Sequence, residues 1–203
     1  MIGIVNYGMG NLLSVYNALD FIGANVEICN TPKELINKEK IVLPGVGSFK
    51  SCMSNLVDRG FYETLDKLVM NEKRPILGIC LGMQLMADKS FEGGEYKGFG
   101  WIDGDVVPIN SQNSKLKIPH VGWNSINIKS ENRLLNGLPE NSDVYFVHSY
   151  HMKCKNNSNV IATCEYGDQL TASICKENIY GTQFHPEKSQ EHGIRILENF
   201  CSI

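Results

Sequence analysis

The chain has 203 residues, enough for one ordinary domain whose hydrophobic core needs no metal or disulfide to stabilise it. With 19 Lys and Arg against 22 Asp and Glu, its net charge of −3 argues against the basic surface of a nucleic-acid-binding protein. The first residues lack a basic segment followed by an apolar stretch, so we expect no leader, and no apolar run approaches the roughly 18 residues of a membrane span. We therefore expect a cytoplasmic protein with no membrane or nucleic-acid partner.

The first half of the chain alternates short apolar segments with helical patterns. Strands are predicted at 2–5, 26–29, 41–43 and 75–79. Helices are predicted at 12–22, from Thr31-Pro32, over 50–72 and near 81–87. Because short links join strand to helix to strand, the pattern indicates parallel βαβ units in a sheet that is covered on both faces.

The second half has strand patterns with little helix between them. These strands are predicted at 104–109, 124–128, 144–147, 160–165, 170–176 and 179–184, with loops at 110–114 and 155–159 and a final helix from Ser189. The sequence therefore predicts a single α/β domain over residues 1–203. Its open, mostly parallel sheet has helices on both faces and is extended by antiparallel strands in the C-terminal half.

One cysteine stands in an unusual local sequence at a predicted junction of strand and helix. Gly78-Ile79-Cys80-Leu81-Gly82 has the pattern of a nucleophile elbow, with cysteine in the place of serine. The glycines let a sharp turn close, and a helix N-terminus favours the reactive thiolate. We predict that Cys80 is a nucleophile and that the N–H of Leu81 helps to hold an oxyanion. The alternative is a buried structural cysteine.

A thiolate nucleophile needs a base and a group that orients the base. Of the five histidines, His185 directly follows the apolar segment 179–184, and Pro186 separates it from Glu187. At the end of a strand both side chains can point out of the sheet. We predict that His185 transfers protons and that Glu187 fixes its tautomer; the alternative for His185 is an ordinary hydrogen-bonded structural histidine.

Other patterns give less support for chemistry. Residues 44–49 follow the third strand at the sheet edge where α/β proteins bind ligands, although a plain turn explains their glycines equally well. The segment 8–13 lacks the third glycine of a dinucleotide loop, so no cofactor is expected. The seven cysteines include no C-x-x-C pair, and His148 with His151 is a weak metal pair, so no metal is expected. An odd number of cysteines fits a reducing compartment.

Several motifs together resemble a known family. GICLGMQ with a downstream QFHPEKS is similar to the class I (triad) glutamine amidotransferases. More narrowly, the chain resembles the family of glutaminase subunits of imidazole glycerol phosphate synthase, through NYGMGNLLSVYNAL, LPGVGSF, EGG, IPHVGWN, YFVHSY and YGTQFHPEKS. These matches extend from residue 2 to residue 200.

The resemblance implies hydrolysis of glutamine to glutamate and ammonia through a γ-glutamyl thioester on Cys80. It implies that His185 and Glu187 complete a triad, and that Val46 supplies an oxyanion N–H beside that of Leu81. The substrate-binding positions that it implies are Gly45, Gly47, Gln84, His148, Ser149 and Tyr150.

The resemblance also implies a heterodimer with a separate (β/α)₈-barrel cyclase subunit. Ammonia would pass through the barrel to give imidazole glycerol phosphate and an aminoimidazole carboxamide ribotide, in histidine biosynthesis. The implied interface positions are Asn11, Trp123, Tyr145 and Lys188. Because a 203-residue glutaminase leaves no room for an acceptor domain, we expect an exposed apolar patch around Trp123.

Three alternatives remain open on the sequence. A related glutaminase subunit supplies ammonia to a sugar amidotransferase in surface polysaccharide synthesis. A γ-glutamyl peptidase of related fold needs no partner, although IPHVGWN argues against it. A binding module without activity is disfavoured because Cys80, Gln84, His185 and Glu187 are all present.

Overall fold

The computed structural model describes residues 1–110 and 116–203, so most of the predicted loop 110–114 lies outside the described residues. The strands are β1 (Ile2–Val5), β2 (Val26–Cys29), β3 (Lys40–Gly45), β4 (Ile76–Cys80), β5 (Ala87–Ser90), β6 (Tyr96–Lys97), β7 (Ile102–Pro108), β8 (His120–Ile128), β9 (Asp143–His148), β10 (Tyr150–Cys154), β11 (Val160–Tyr166), β12 (Asp168–Lys176) and β13 (Ile179–Thr182). The α-helices are α1 (Leu12–Phe21), α2 (Pro32–Leu35), α3 (Phe49–Asp58), α4 (Phe61–Asp66), α5 (Leu81–Gln84) and α6 (Gln190–Ser202).

A nine-stranded mixed sheet organises the molecule, in the order β2-β1-β3-β4-β13-β12-β11-β8-β9. The strands from β2 to β13 in this order are parallel, and those from β13 to β9 are antiparallel to their neighbours. The predicted α/β class, a parallel sheet extended by antiparallel strands, is confirmed. Pairing of β13 with β4 brings the segment before His185 next to the segment before Cys80.

Side-chain alternation along the central strands separates the core into two layers. In β3, Ile41 and Leu43 pack with α3 and α4 on one face, whereas Val42 packs with α1 and α6 on the other. Strand β4 alternates in the same way, with Ile76 and Leu77 on opposite faces. The continuous apolar strands of the sequence are therefore explained by burial on both faces.

A second sheet of four strands, in the order β10-β7-β5-β6, packs beside the first. It was not predicted. Only Ser149 separates β9 from β10, so the segment lacks the turn signals that would have divided the two strands. Within the described residues, no helix combines the length and the apolar character needed to cross a membrane.

Two helix predictions differ from the structure. The helix predicted over 50–72 is broken at Gly60, which has φ of +72° between α3 and α4, and it continues in a wide π turn over Lys67–Asn71. The helix predicted near 81–87 ends at Gln84, because residues 87–90 instead pair with β6 and β7 in the second sheet. Strand pairing thus outweighs local helix preference at this point.

Candidate active site

Cys80 lies where β4 turns into α5, and its backbone is strained. Its φ of +55° and ψ of −112° lie outside the regions that residues with a Cβ ordinarily occupy. Such strain costs on the order of 1–3 kcal/mol and persists only where the surrounding structure enforces it. The turn holds the Cys80 side chain at the C-terminal edge of the parallel strands, which is where α/β sheets bind ligands.

The two glycines around Cys80 allow chain segments to approach closely. A Cβ on Gly82 would lie 1.8 Å from the carbonyl oxygen of Leu43, and one on Gly78 would lie 2.7 Å from the oxygen of Gly82. Gly45, at the end of β3, meets the same turn, because its Cβ would lie 2.7 Å from the nitrogen of Gly82. The prediction that Gly78 and Gly82 let the turn close is confirmed.

His185 and Glu187 form a buried pair directly after β13. Nδ1 of His185 lies 2.7 Å from Oε1 of Glu187, and the two side chains are 3% and 1% exposed. Burial opposes the charged imidazolium, but the Cys80 side chain and the Glu187 carboxylate favour it more strongly, and the pKa of His185 rises to about 9. Nε2 of His185 is buried and has no hydrogen-bond partner among the described residues, so it is available to a reacting group.

The Cys80 thiol is held by two groups other than His185. Sγ lies 3.8 Å from the carbonyl oxygen of Val147, which accepts from the thiol, and 3.7 Å from Nε2 of Gln183, which donates to the sulfur. Gln183 is fully buried. Gln183 was not predicted as a site residue. Strand alternation could have indicated it, because residues two positions apart on a strand, such as Gln183 and His185, point to the same face.

A cavity of about 330 Å³ opens beside Cys80 and His185. Most of the predicted substrate and oxyanion positions line it, namely Val46, Gly47, Leu81, Gln84, His148, Ser149 and Tyr150. Three further residues that line the cavity, Glu92, Pro119 and Val147, were assigned no role from the sequence. Gly45 does not line the cavity but packs behind it against Gly82. Larger cavities of about 730 and 720 Å³ are lined by neither Cys80 nor His185.

Side chains anchor the glycine-rich segment after β3 from behind. The hydroxyl of Tyr7 donates to the carbonyl oxygen of Pro44 at 2.8 Å. The Cys52 thiol donates to the carbonyl oxygen of Val46 at 3.6 Å. Burial raises the pKa of Cys52 to about 11, so its thiol keeps the proton it donates. Across the cavity, the N–H of Leu81 is among the groups at a helix start that have no intrahelical partner.

Three of the predicted interface residues lie together at the surface. Trp123 on β8 is 48% exposed and packs edge-on against Tyr145 of β9, with ring centroids 6.0 Å apart. Nζ of Lys188 lies 5.9 Å from the centre of the Tyr145 ring. Asn11 occupies the N-cap position of α1 but makes no side-chain capping bond, and α1 packs against the turn that carries Lys188.

The expected apolar patch around Trp123 is confirmed. Val121 pairs with Val147 across β8 and β9, and Trp123 pairs with Tyr145 two residues further along, so all four side chains share one face. Val121 is 55% exposed and Val147 is 37% exposed. We call these four residues the β8–β9 outer face.

Residues 1–110 and 116–203 contain no candidate metal-binding site, because no three His, Cys, Asp or Glu side chains there lie close enough together to hold a metal ion. His148 and His151, the pair considered from the sequence, do not share a metal-binding arrangement there. Nδ1 of His148 instead lies 2.9 Å from the carbonyl oxygen of Tyr150 and Nε2 lies 3.0 Å from His120. The cavity thus offers a thiol, an imidazole–carboxylate pair and amide donors, which are the groups of nucleophilic acyl transfer.

Comparison with known proteins identifies the class. The family model for class-I glutamine amidotransferases matches residues 4–203, and the chain belongs to that family. The imidazole glycerol phosphate synthase subunit HisH 1 of Campylobacter jejuni is 48% identical over 203 residues, covering 100% of both chains. The subunit HisH of Leptospira borgpetersenii is 46% identical over 205 residues, again covering 100% of both. The resemblance found in the motifs is thereby confirmed.

Solved structures agree with the fold. A glutamine amidotransferase structure matches with a TM-score of 0.77 at 16% identity, over 100% of this chain and 99% of its own. PurLQS from Thermotoga maritima matches with a TM-score of 0.76 at 17% identity, over 99% of this chain and 97% of its own. At such low identity these two likenesses establish the fold alone.

Proposed function

We propose that this chain is the glutaminase subunit of an imidazole glycerol phosphate synthase and acts in histidine biosynthesis. It hydrolyses glutamine to glutamate and ammonia and delivers the ammonia to a cyclase subunit. The observation that carries the chemistry is the strained Cys80 beside the buried His185–Glu187 pair in one cavity. The acceptor is inferred from the full-length relatives, which carry the synthase name and not that of a sugar amidotransferase.

In the first half-reaction, Sγ of Cys80 attacks the side-chain amide carbon of glutamine. His185 takes the thiol proton on Nε2, the ring position that has no other described partner. The carbonyl oxygen becomes an oxyanion, held by the N–H groups of Leu81 and Val46. Collapse breaks the carbon–nitrogen bond, His185 returns the proton to the leaving nitrogen, and ammonia departs from a γ-glutamyl thioester.

In the second half-reaction, His185 removes a proton from water, which attacks the thioester carbon. The carbon–sulfur bond breaks, the thiolate recovers the proton from His185, and glutamate is released. Glu187 keeps Nδ1 of His185 protonated throughout, so that Nε2 always faces the reacting atoms. Gly47, Gln84, His148, Ser149 and Tyr150 bind the glutamine in the cavity.

The partner binds at the β8–β9 outer face, together with Asn11 and Lys188. A second subunit there covers exposed apolar area close to the cavity, because Val147 belongs to both. Ammonia can then leave the cavity into the partner without becoming protonated in solvent. The partner is a (β/α)₈-barrel cyclase, and the chain and the barrel form a heterodimer.

Glutamate release tests this function. The purified chain is assayed alone, with a cyclase barrel, and with the barrel and its nucleotide substrate; low activity alone and a large rise in the full complex are expected. No rise, with a reactive Cys80, would assign the chain to another acceptor. Cys80→Ala is expected to lose at least about 10³-fold in glutamate release, while the complex still uses free ammonia as nitrogen source.

A further inference from the structure

A chain of hydrogen bonds reaches Cys80 from β8, a strand that contributes no group to the proposed chemistry. His120 on β8 is buried between two aromatic rings, stacked at 4.7 Å on Phe146 and at 3.9 Å on Tyr166. Its Nδ1 lies 3.0 Å from Nε2 of His148, and its Nε2 lies 3.3 Å from Nδ2 of Asn124.

The partners at the two ends fix the direction of every bond between them. Nδ2 of Asn124 donates to the carbonyl oxygen of Glu165 at 2.9 Å, which identifies that atom as the amide nitrogen. Its other hydrogen goes to Nε2 of His120, so His120 carries its proton on Nδ1 and donates to His148. His148 in turn carries its proton on Nδ1 and donates to the carbonyl oxygen of Tyr150.

The chain continues from the oxygen of Tyr150 to the nucleophile. That oxygen also accepts from Nε2 of Gln84 at 2.9 Å, and the second hydrogen of the same nitrogen goes to Oε1 of Gln183, also at 2.9 Å. This leaves Nε2 of Gln183 to donate to Sγ of Cys80. Gln84, His148 and Tyr150 all line the cavity beside Cys80.

We propose that Asn124 and His120 are positioning residues that hold His148, the Tyr150 carbonyl and Gln84 in the arrangement that binds glutamine, and through Gln183 hold the Cys80 sulfur. The proposal rests on the proposed function of the cavity. The carbonyl oxygens of Glu165 and Tyr150, at the two ends of the histidine pair, can only accept, so reversing one bond between them leaves two acceptors or two donors face to face.

Burial keeps both rings neutral, as the chain requires. It lowers the pKa of His120 to about 4 and that of His148 to about 3. A charged ring would carry protons on both nitrogens and could accept no bond. His148 therefore has no free nitrogen with which to act as a base, and its contribution to the cavity is geometric.

The direct test is the tautomer of the two rings. In the ¹⁵N-labelled full chain, long-range ¹H–¹⁵N correlation spectra distinguish a protonated from an unprotonated ring nitrogen. We expect His120 and His148 both to carry hydrogen on Nδ1 and none on Nε2. A hydrogen on Nε2 of either ring would overturn the proposal.

Two variants test the consequence for glutamine binding. Asn124→Asp places an acceptor against Nε2 of His120 and so reverses the direction of the hydrogen bonds in the chain. His120→Phe keeps the aromatic stack but removes the hydrogen bonds of His120 to Asn124 and to His148. Each is expected to raise the KM for glutamine about tenfold, the effect of losing one well-formed hydrogen bond, with a smaller change in kcat. Both are also expected to slow the alkylation of Cys80 by iodoacetamide.

The matched control is Asn127→Asp, which adds the same charge three residues further along β8. It is expected to leave both readouts unchanged. Partial unfolding lowers the concentration of active enzyme but does not change KM, so a KM equal to wild type in both test variants would refute the positioning role. If the wild type releases no glutamate even with the barrel, the proposed function fails, while the tautomers still decide the direction of the chain.

Discussion

Two histidines that line the same cavity have opposite ionisation preferences. Burial lowers the pKa of His148 to about 3, and both of its ring nitrogens are bonded. Burial opposes the charge on His185 too, but Cys80 and Glu187 outweigh it and raise the pKa to about 9. The surroundings, and not the residue type, thus select His185 for proton transfer.

Removing the Glu187 charge tests this assignment. Because the carboxylate favours the imidazolium, Glu187→Gln is expected to lower the pKa of His185 and to move the alkaline limb of Cys80 alkylation to lower pH. Glutamate release is expected to fall by about 10²- to 10⁴-fold, since the tautomer is no longer fixed. Stopped-flow alkylation across pH measures the limb.

Glu140→Gln is the matched control, because Glu140 is exposed and does not line the cavity. It is expected to reproduce the wild-type pH profile. An alkaline limb that stays in place in Glu187→Gln would show that the carboxylate does not set the ionisation of His185.

At the scale of elements, the turn between β4 and α5 depends on contacts with β3. Gly82 faces the carbonyl oxygen of Leu43, and Gly45 faces the nitrogen of Gly82, so the backbones of the two segments are in close contact. α5 has only four residues, which is less than the helix predicted from the sequence. Close backbone packing, more than a long helix, therefore holds Cys80 in its strained conformation.

Gly82→Ala tests the role of this contact. Its Cβ would lie 1.8 Å from the Leu43 oxygen, so the turn must shift; we expect a loss of about 3 kcal/mol in the free energy of unfolding. Alkylation of Cys80 in the folded fraction is expected to slow as well. Denaturant titration and alkylation rates measure the two effects.

Gly137→Ala is the control for backbone strain without a clash. Gly137 has φ of +77° and open space around its Cβ position, so only about 1 kcal/mol of conformational cost is expected. Its alkylation rate should match the wild type. Equal alkylation in both variants would mean that Gly82 does not position the nucleophile.

The sequence predicts the parallel half of the sheet well because its strands are apolar and separated by helices. It also predicts Cys80 and His185, since each directly follows such a strand. It does not predict β10 or the early end of α5, because both result from pairing with β7, which is distant in sequence. Gln183 and His120 were missed for a similar reason, since their bonds join residues far apart in the chain.

At the scale of the whole molecule, buried and partly buried histidines contribute to how stability varies with pH. Burial lowers the pKa of His120, His148 and His151 to about 4, 3 and 4. Unfolded, these rings take up a proton near pH 6.5, so below that pH the unfolded state binds more protons and the stability they contribute is lost. His185 acts in the opposite sense, because its contribution is full below pH 6.5 and is lost as the pH rises through 9.

The free energy of unfolding is therefore expected to be highest near pH 6.5 and to fall on both sides. On the acid side, each of these rings lowers the free energy of unfolding by up to about 1.4 kcal/mol for every unit that the pH falls. Denaturant titration at several pH values measures the curve. Stability that stays level from pH 6.5 down to 5 would contradict the neutral burial of these rings.

The β8–β9 outer face is expected to contribute most of the affinity for a partner subunit. Trp123→Ala removes a half-exposed aromatic side chain of the kind that dominates interfaces, and it should weaken binding of the cyclase barrel about 30-fold or more in Kd. Titration calorimetry measures the change.

Val57→Ser is the control, because Val57 is 51% exposed on α3 and does not belong to that face. It is expected to leave the Kd unchanged. An unchanged Kd in Trp123→Ala would move the interface to another part of the surface.

Alternation along β8 ties two properties of the protein to one register. Val121 and Trp123 face outward, while His120 and Asn124 face inward toward His148 and the cavity. Inserting or deleting one residue at the start of this strand would exchange the two faces and turn the tryptophan inward, onto the face that His120 and Asn124 now occupy. We therefore expect that length changes here are tolerated only in pairs of residues, because one register determines both the β8–β9 outer face and the hydrogen-bond chain inside it.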